Sequence, residues 1–188
     1  MDPADPATRA LRRLARMNLL ANRRLQAACA RLSDEAFAAP RPGFFPSLRA
    51  TLNHVLVIDR FYVDALEGGT LGPAAWADPE PHATLAPLAA EQGALDRRLL
   101  ALVEGLSPPD LERAVAIHRR ARIQRERMDD TLNHLFQHDT HHRGQAHAML
   151  SHAGIAPPQL DEFIVADDAG ARAADLAALD RDEAWLMG

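Results

Sequence analysis

Six of the chain's nine histidines fall between His134 and His152, five of them inside the run NHLFQHDTHHRGQAHAML that opens at Asn133. Neutral imidazole is a good ligand for divalent transition metals, and two imidazoles on one helix converge on one ion when four residues separate them. Coiled as an α-helix, this run turns by about 100° per residue. With His138 as origin, His142 lies at about +40°, His134 at about −40°, Gln145 at about −20° and Met149 at about +20°, all on one face. His141 sits at the edge of that stripe, at about −60°, whereas Arg143 at about 140° and His147 at about 180° leave it. His134 and His142 are about 12 Å apart along the axis, so they cannot serve one ion together. The helix therefore supplies two ligands at most, and His54, set among apolar residues on an earlier helix, is the best-placed candidate for a third. The competing reading of each is a hydrogen-bonded core histidine. Asp139 stands where an HExxH protease carries its glutamate base, which argues against that mechanism.

The elements that must position these residues are helical almost throughout. Asp5 and Pro6 form an N-cap and first-turn pair for a helix to about Arg31, with Leu11, Leu14, Met17, Leu20 and Leu25 at helical spacing. Ser33 to Phe37 offers one short extra turn, followed by a loop through Pro40, Pro42 and Pro46. A second long helix starts at Ser47 and stops at Gly68 and Gly69. A Pro-, Gly- and Ala-rich loop holding Trp76 leads to a third helix from about Leu85 to Leu106. The fourth runs from about Asp129 to Ala153, with acidic residues at its positive end and Gly154, Pro157 and Pro158 behind it. Residues 170 to 186 suggest one further short amphipathic helix. TLNH occurs at Thr51–His54 and again at Thr131–His134, a hint that the second and fourth helices are related.

Four long helices joined by loops read as an antiparallel bundle, with no convincing strands for a sheet. Residues 113–127 are less regular and carry six arginines. They read as a solvated basic connection, with an irregular extended strand, or a site for an anionic group at a pocket mouth, as the alternatives.

Composition bounds the function. A chain of 188 residues with 47% apolar side chains suits one domain, or one domain with a tail. A net charge of −5 speaks against nucleic acid as the main partner, since phosphate binding rests on excess lysine and arginine. No run approaches the roughly 18 apolar residues of a membrane span. The opening MDPADPATRA has no apolar core of a signal peptide. Cys29 is the single cysteine, so no intrachain disulfide forms, which fits a reducing cytoplasm.

The run HDTHHRGQ, His138 to Gln145, resembles the signature of the DinB/YfiT-like superfamily. The similarity extends to LANRRL (Leu20–Leu25) and to SLRATLNHVLVIDRFYVDALEG (Ser47–Gly68), and spans roughly residues 8 to 165. Two details depart from the family pattern: Gln137 replaces a common Asn, and the first helix lacks an aromatic near Leu19 and Leu20. The resemblance implies an all-α, up-down-down-up four-helix bundle over residues 1–168, with a short C-terminal helical extension over 169–188. It implies a divalent metal, nickel or zinc, held by His54, His138 and His142, and a homodimer. It also implies chemistry with a low-molecular-weight thiol, in the manner of a thiol-dependent S-transferase acting on a small-molecule substrate. A non-catalytic or stress-related metal-binding bundle and a metal-dependent hydrolase are the alternatives. Gln145, His134 and Asp59 are candidates to line the pocket or hold a ligand's other ring nitrogen. Asp59 lies about 140° around its own helix from His54, which weakens its case. Arg143 is expected in a packing salt bridge instead.

Overall fold

The structure is a computed structural model that describes residues 5–188. The first four residues, on which the expectation about the N-terminus and the start of the domain partly rests, lie outside them. The long helices are α1 (Pro6–Cys29), α3 (Leu48–Leu66), α4 (Leu85–Glu104) and α5 (Met128–His152), with a short α2 (Asp34–Ala38) after the first. Each start has a local cause. The Asp5 carboxylate accepts from the amides of Ala7 and Thr8 at 2.9 and 3.3 Å, and the Ser47 hydroxyl accepts from Ala50 at 3.1 Å. Asp129 and Asp130 stand in the first turn of α5, where its dipole favours negative charge.

The order of packing is not a simple meander. α1 and α3 each pack against both α4 and α5. The two histidine-bearing helices are therefore neighbours although 61 residues, Glu67 to Arg127, separate them. Their shared core includes Leu56, Leu132, Leu135, Ala146, Met149 and Leu150, all shielded from solvent. Each fully buried large apolar side chain contributes roughly 1.5–3 kcal/mol by leaving water. This is the all-α bundle expected from the helical periodicity and the family resemblance.

Two segments differ from the sequence reading. Residues 114–127 are not a plain solvated connection but an antiparallel hairpin, β1 (Ala114–His118) paired with β2 (Ile123–Arg127). Only β1 shows the alternation of a half-buried strand: Val115 and Ile117 turn inward, and the strand lies on α3. β2 is charged and exposed, which hid it. Gly72, at φ 53°, lets the 72–76 turn lie under the hairpin, since a Cβ there would sit 3.0 Å from the main-chain oxygen of His118. The C-terminal stretch holds two helices rather than one, α6 (Ala169–Ala177) and α7 (Glu183–Met187). Asp180, at φ 53°, breaks the helix, and Asp182 caps the next by accepting from Trp185 at 2.9 Å.

That stretch lies on α1 through a second apolar cluster, Phe163, Leu176 and Leu186 against Leu19, Leu20 and Ala21. Two arginines latch it. Arg172 meets both oxygens of Glu183 at 2.8 Å, and Arg24 reaches Glu162 at 2.9 Å and Asp175 at 2.7 Å. Among the described residues no helix is long and apolar enough to cross a membrane.

Candidate metal centre

The packing of α3 on α5 carries His54 to the face that holds His138 and His142. The Nε2 atoms of His54 and His138 lie 3.1 Å apart. The ring centroids of His54 and His142 are 4.7 Å apart, and those of His138 and His142 are 4.5 Å apart. The three residues each bring one ring nitrogen within 4.8 Å of the others, a grouping that could hold a metal ion.

The outer ring nitrogens of His142 and His138 are occupied in ways that select the ligating atom. Gln145 Oε1 lies 3.0 Å from His142 Nδ1 while its amide nitrogen faces His141 Nε2 at 2.9 Å. The carboxamide orientation is thus set, Nδ1–H donates to it, and Nε2 of His142 keeps its lone pair. His138 Nδ1 points to Asp139 Oδ1 at 3.4 Å, leaving its Nε2 on the cluster side. Burial, followed by the charges His142 and His138 would carry, holds His54 down to about 4. Burial likewise lowers His142, against the opposing bond to Gln145. His54 and His142 are therefore held as neutral imidazoles, the form a divalent ion needs. Borderline ions such as zinc and nickel match this nitrogen set.

The other expected residues take different places. His134 is exposed beside Tyr62, with ring centroids 5.1 Å apart, and lines the cavity without joining the three-histidine grouping. His147 turns away and faces the Pro158 carbonyl at 3.1 Å. Asp59 does not serve His54; it projects toward α5, where it groups with His138 and Asp139 within the same 4.8 Å limit. Arg143 is buried and donates to Asn18, to Asn22 at 3.0 Å and to Thr140 at 3.3 Å, with Asp139 4.0 Å away.

Behind the histidines lies a polar layer that periodicity alone did not reveal. Gln92 donates to Asp59 at 2.5 Å and to Asp96 at 3.2 Å, and Asn22 donates to Asp96 at 3.0 Å. Burial first, then the charges of Asp139 and Asp96, push the Asp59 carboxyl well above the usual range. Asp96 is pushed up to about 7, mainly by burial. A carboxyl that keeps its proton is a poor metal ligand, so the Asp59–Asp139–His138 grouping is the weaker of the two sets.

Other contributors come from loops. Phe45 packs on His54 and His142 at centroid distances of 4.4 and 5.6 Å. A Cβ at Gly43 would run into the Met149 methyl, so glycine lets this Pro-rich loop close over the site. Asn53 holds α3 to the following loop by donating to the His82 carbonyl at 2.8 Å and accepting from its amide at 3.0 Å. In front of the histidines is a cavity of about 430 Å³, walled also by Phe44, Ile58 and Tyr62. Such loop contacts leave no periodic trace in the sequence.

A helical bundle with a histidine cluster divided between two adjacent helices defines a class of small metal-site bundles. The chain belongs to the DinB family, whose model matches residues 6–173. A DinB-like protein from Bacillus cereus shares the fold, with a TM-score of 0.58 at 16% identity over 74% of this chain and 89% of that one. A DinB-like protein from Bacillus subtilis does so with a TM-score of 0.59 at 16% identity, over 78% of this chain and 96% of that one. No curated protein matches the sequence.

Proposed function

We propose that His54, His138 and His142 hold a divalent ion, nickel or zinc, and that the protein uses it to transfer a low-molecular-weight thiol to a small electrophile. The observation that carries this reading is the convergence of three imidazoles on the floor of an open cavity. A divalent ion bound there would supply Lewis acidity to lower the pKa of a coordinated thiol. Three protein ligands leave room for such a group.

The chain's own residues set the conditions. Gln145 holds His142 in the tautomer that presents Nε2, and Phe45 packs over two of the rings and limits water. Glu80, beside His54, is paired with Arg49 at 2.8 Å, and Asp59 and Asp139 are sealed behind the rings. No free carboxylate base thus faces the histidines among the described residues. Activating water for hydrolysis would need such a base more than a thiol does, because a thiol ionises far more readily than water, with a pKa of about 8.5. The nucleophile is not the chain's own thiol: burial pushes Cys29 up to about 12. The reading places the protein in the cytoplasm, where small thiols stay reduced, and as a homodimer by analogy with the family.

Elemental analysis of untagged protein and of His142→Ala, with turnover of cysteine and a chromogenic electrophile, tests it. Stoichiometric metal in the wild type, its loss in the variant and metal-dependent consumption of the thiol are expected. Absence of metal, or full retention by the variant, overturns the metal site; metal without thiol transfer overturns the reaction.

A further inference from the structure

The cavity before the histidines shares lining residues with a neighbouring cavity on either side. Tyr62 and His134 line it and also an adjoining cavity of about 290 Å³ beside the hairpin. His54 and Ile58 line it and also a cavity of about 380 Å³ reaching Trp76 and Val57. The histidine cluster thus sits between two flanking cavities that differ. The Trp76 cavity is mostly apolar. The hairpin cavity holds Arg119.

Arg119 is fixed without an anion. Its guanidinium lies 4.7 Å from the Phe61 ring centre and 5.9 Å from that of Tyr62. Nε donates to Gln124 Oε1 at 3.1 Å and Nη2 to the Tyr62 hydroxyl at 3.3 Å. Among the described residues it makes no ion pair, whereas Arg24, Arg60, Arg98 and Arg172 each do. Stacking on aromatic rings holds a guanidinium in place, and its planar fork matches a carboxylate. An anion arriving there finds the ordering cost already met.

Two carboxylates line the same hairpin cavity, Glu126 and Asp130, both on exposed residues. Gln124 keeps Glu126 engaged by donating to it at 2.8 Å. Their charge opposes any anion, but both residues are exposed and screened by solvent, and the repulsion falls harder on a phosphate than on the smaller charge of one carboxylate.

We propose that Arg119, with the Tyr62 hydroxyl and His134, binds the carboxylate of a small monoanionic substrate whose apolar remainder runs past the histidines toward Trp76. Calling this ligand a substrate rests on the metal-centre reading; the binding of a carboxylate at Arg119 does not.

Calorimetry of the full-length protein with 4-phenylbutyrate and with its neutral analogue 4-phenylbutanamide tests the proposal. In wild type the acid binds at least about tenfold more tightly than the amide, since a charged hydrogen-bonded pair is lost with the amide. Arg119→Gln brings the ratio close to one, and Arg119→Lys keeps part of it. The double variant Arg122→Gln with Arg125→Gln, which removes exposed hairpin charge only, leaves the ratio unchanged. Inorganic phosphate fails to compete. Should Arg119→Gln not fold, Tyr62→Phe decides: it keeps the ring under Arg119, removes the hydroxyl, and lowers the ratio. Equal affinities in wild type, an undiminished ratio in Arg119→Gln or Tyr62→Phe, or competition by phosphate overturns the proposal. His142→Ala separates the two readings. A preserved ratio there supports the Arg119 subsite whatever the metal content proves to be. A ratio lost in His142→Ala but kept in Arg119→Gln places the carboxylate on the histidines and overturns the subsite.

Discussion

Two polar regions meet at α5 and solve the problem of burial in opposite ways. On one side His54, His138 and His142 turn nitrogen toward nitrogen beside an open cavity. On the other, Arg143, Asn18, Asn22, Asp96, Gln92 and Asp59 are sealed and bond mainly to one another. In the sealed layer nearly every polar atom has a protein partner, as buried polar groups require. Asn18 Nδ2, Asp59 Oδ1 and Asp139 Oδ2 are the exceptions there among the described residues. In the histidine cluster the outer nitrogens of His138 and His142 have protein partners and the inner ones face the shared centre, an arrangement a cation would complete. The difference separates polar groups that hold the bundle together from polar groups aimed at something outside it.

The comparison is most exposed to Arg143→Ala. Removing the one cation of the sealed layer leaves Asn18, Asn22 and Asp139 without their partner, and the expected cost is about 3–5 kcal/mol in urea unfolding. A loss under about 1 kcal/mol would mean that the layer does not hold the fold. Metal should act on the other region alone. Zinc at a hundredfold over its dissociation constant should stabilise wild type by about 2.7 kcal/mol and His54→Ala hardly at all. Equal stabilisation of both would place the ion elsewhere.

The pH dependence of stability sharpens the contrast further. Asp96 ionises near 3.8 when unfolded but at about 7 when folded, so the folded protein holds the extra proton in between. Stability from this group is present below about pH 4 and is lost as pH rises toward 7. Asp96→Asn should abolish that slope. An unchanged slope would show that Asp96 is not its source. The smallest effect is expected for Gln145→Ala. It removes the partner of His142 Nδ1 and should weaken metal binding by about tenfold with little change in metal-free stability. Unaltered affinity, measured by competition with a chelator, would deny Gln145 that orienting role.

How much was legible beforehand depended on range. The face shared by His138, His142 and Gln145 follows from one helix turning at a constant angle, and the start of α3 at Ser47 follows from a local cap. Asp59 shows the limit of that reasoning. Measured around its own helix it looked remote from any ligand, yet it neighbours His138 because α3 packs on α5. The hairpin was obscured because β2 carries three charges in IQRER and only β1 buries a face.

By itself the sequence determined the helices, the pairing of His138 with His142 and the exclusion of His147, because these depend on bonds and angles within a turn or two. His54 entered as a candidate through its apolar setting and a family resemblance. Its nitrogen 3.1 Å from that of His138, the aspartate layer behind the rings and the seat of Arg119 on Phe61 and Tyr62 were decided only by the tertiary structure. Those contacts join residues tens of positions apart. Their geometry comes from how helices and hairpin pack, which no local periodicity encodes.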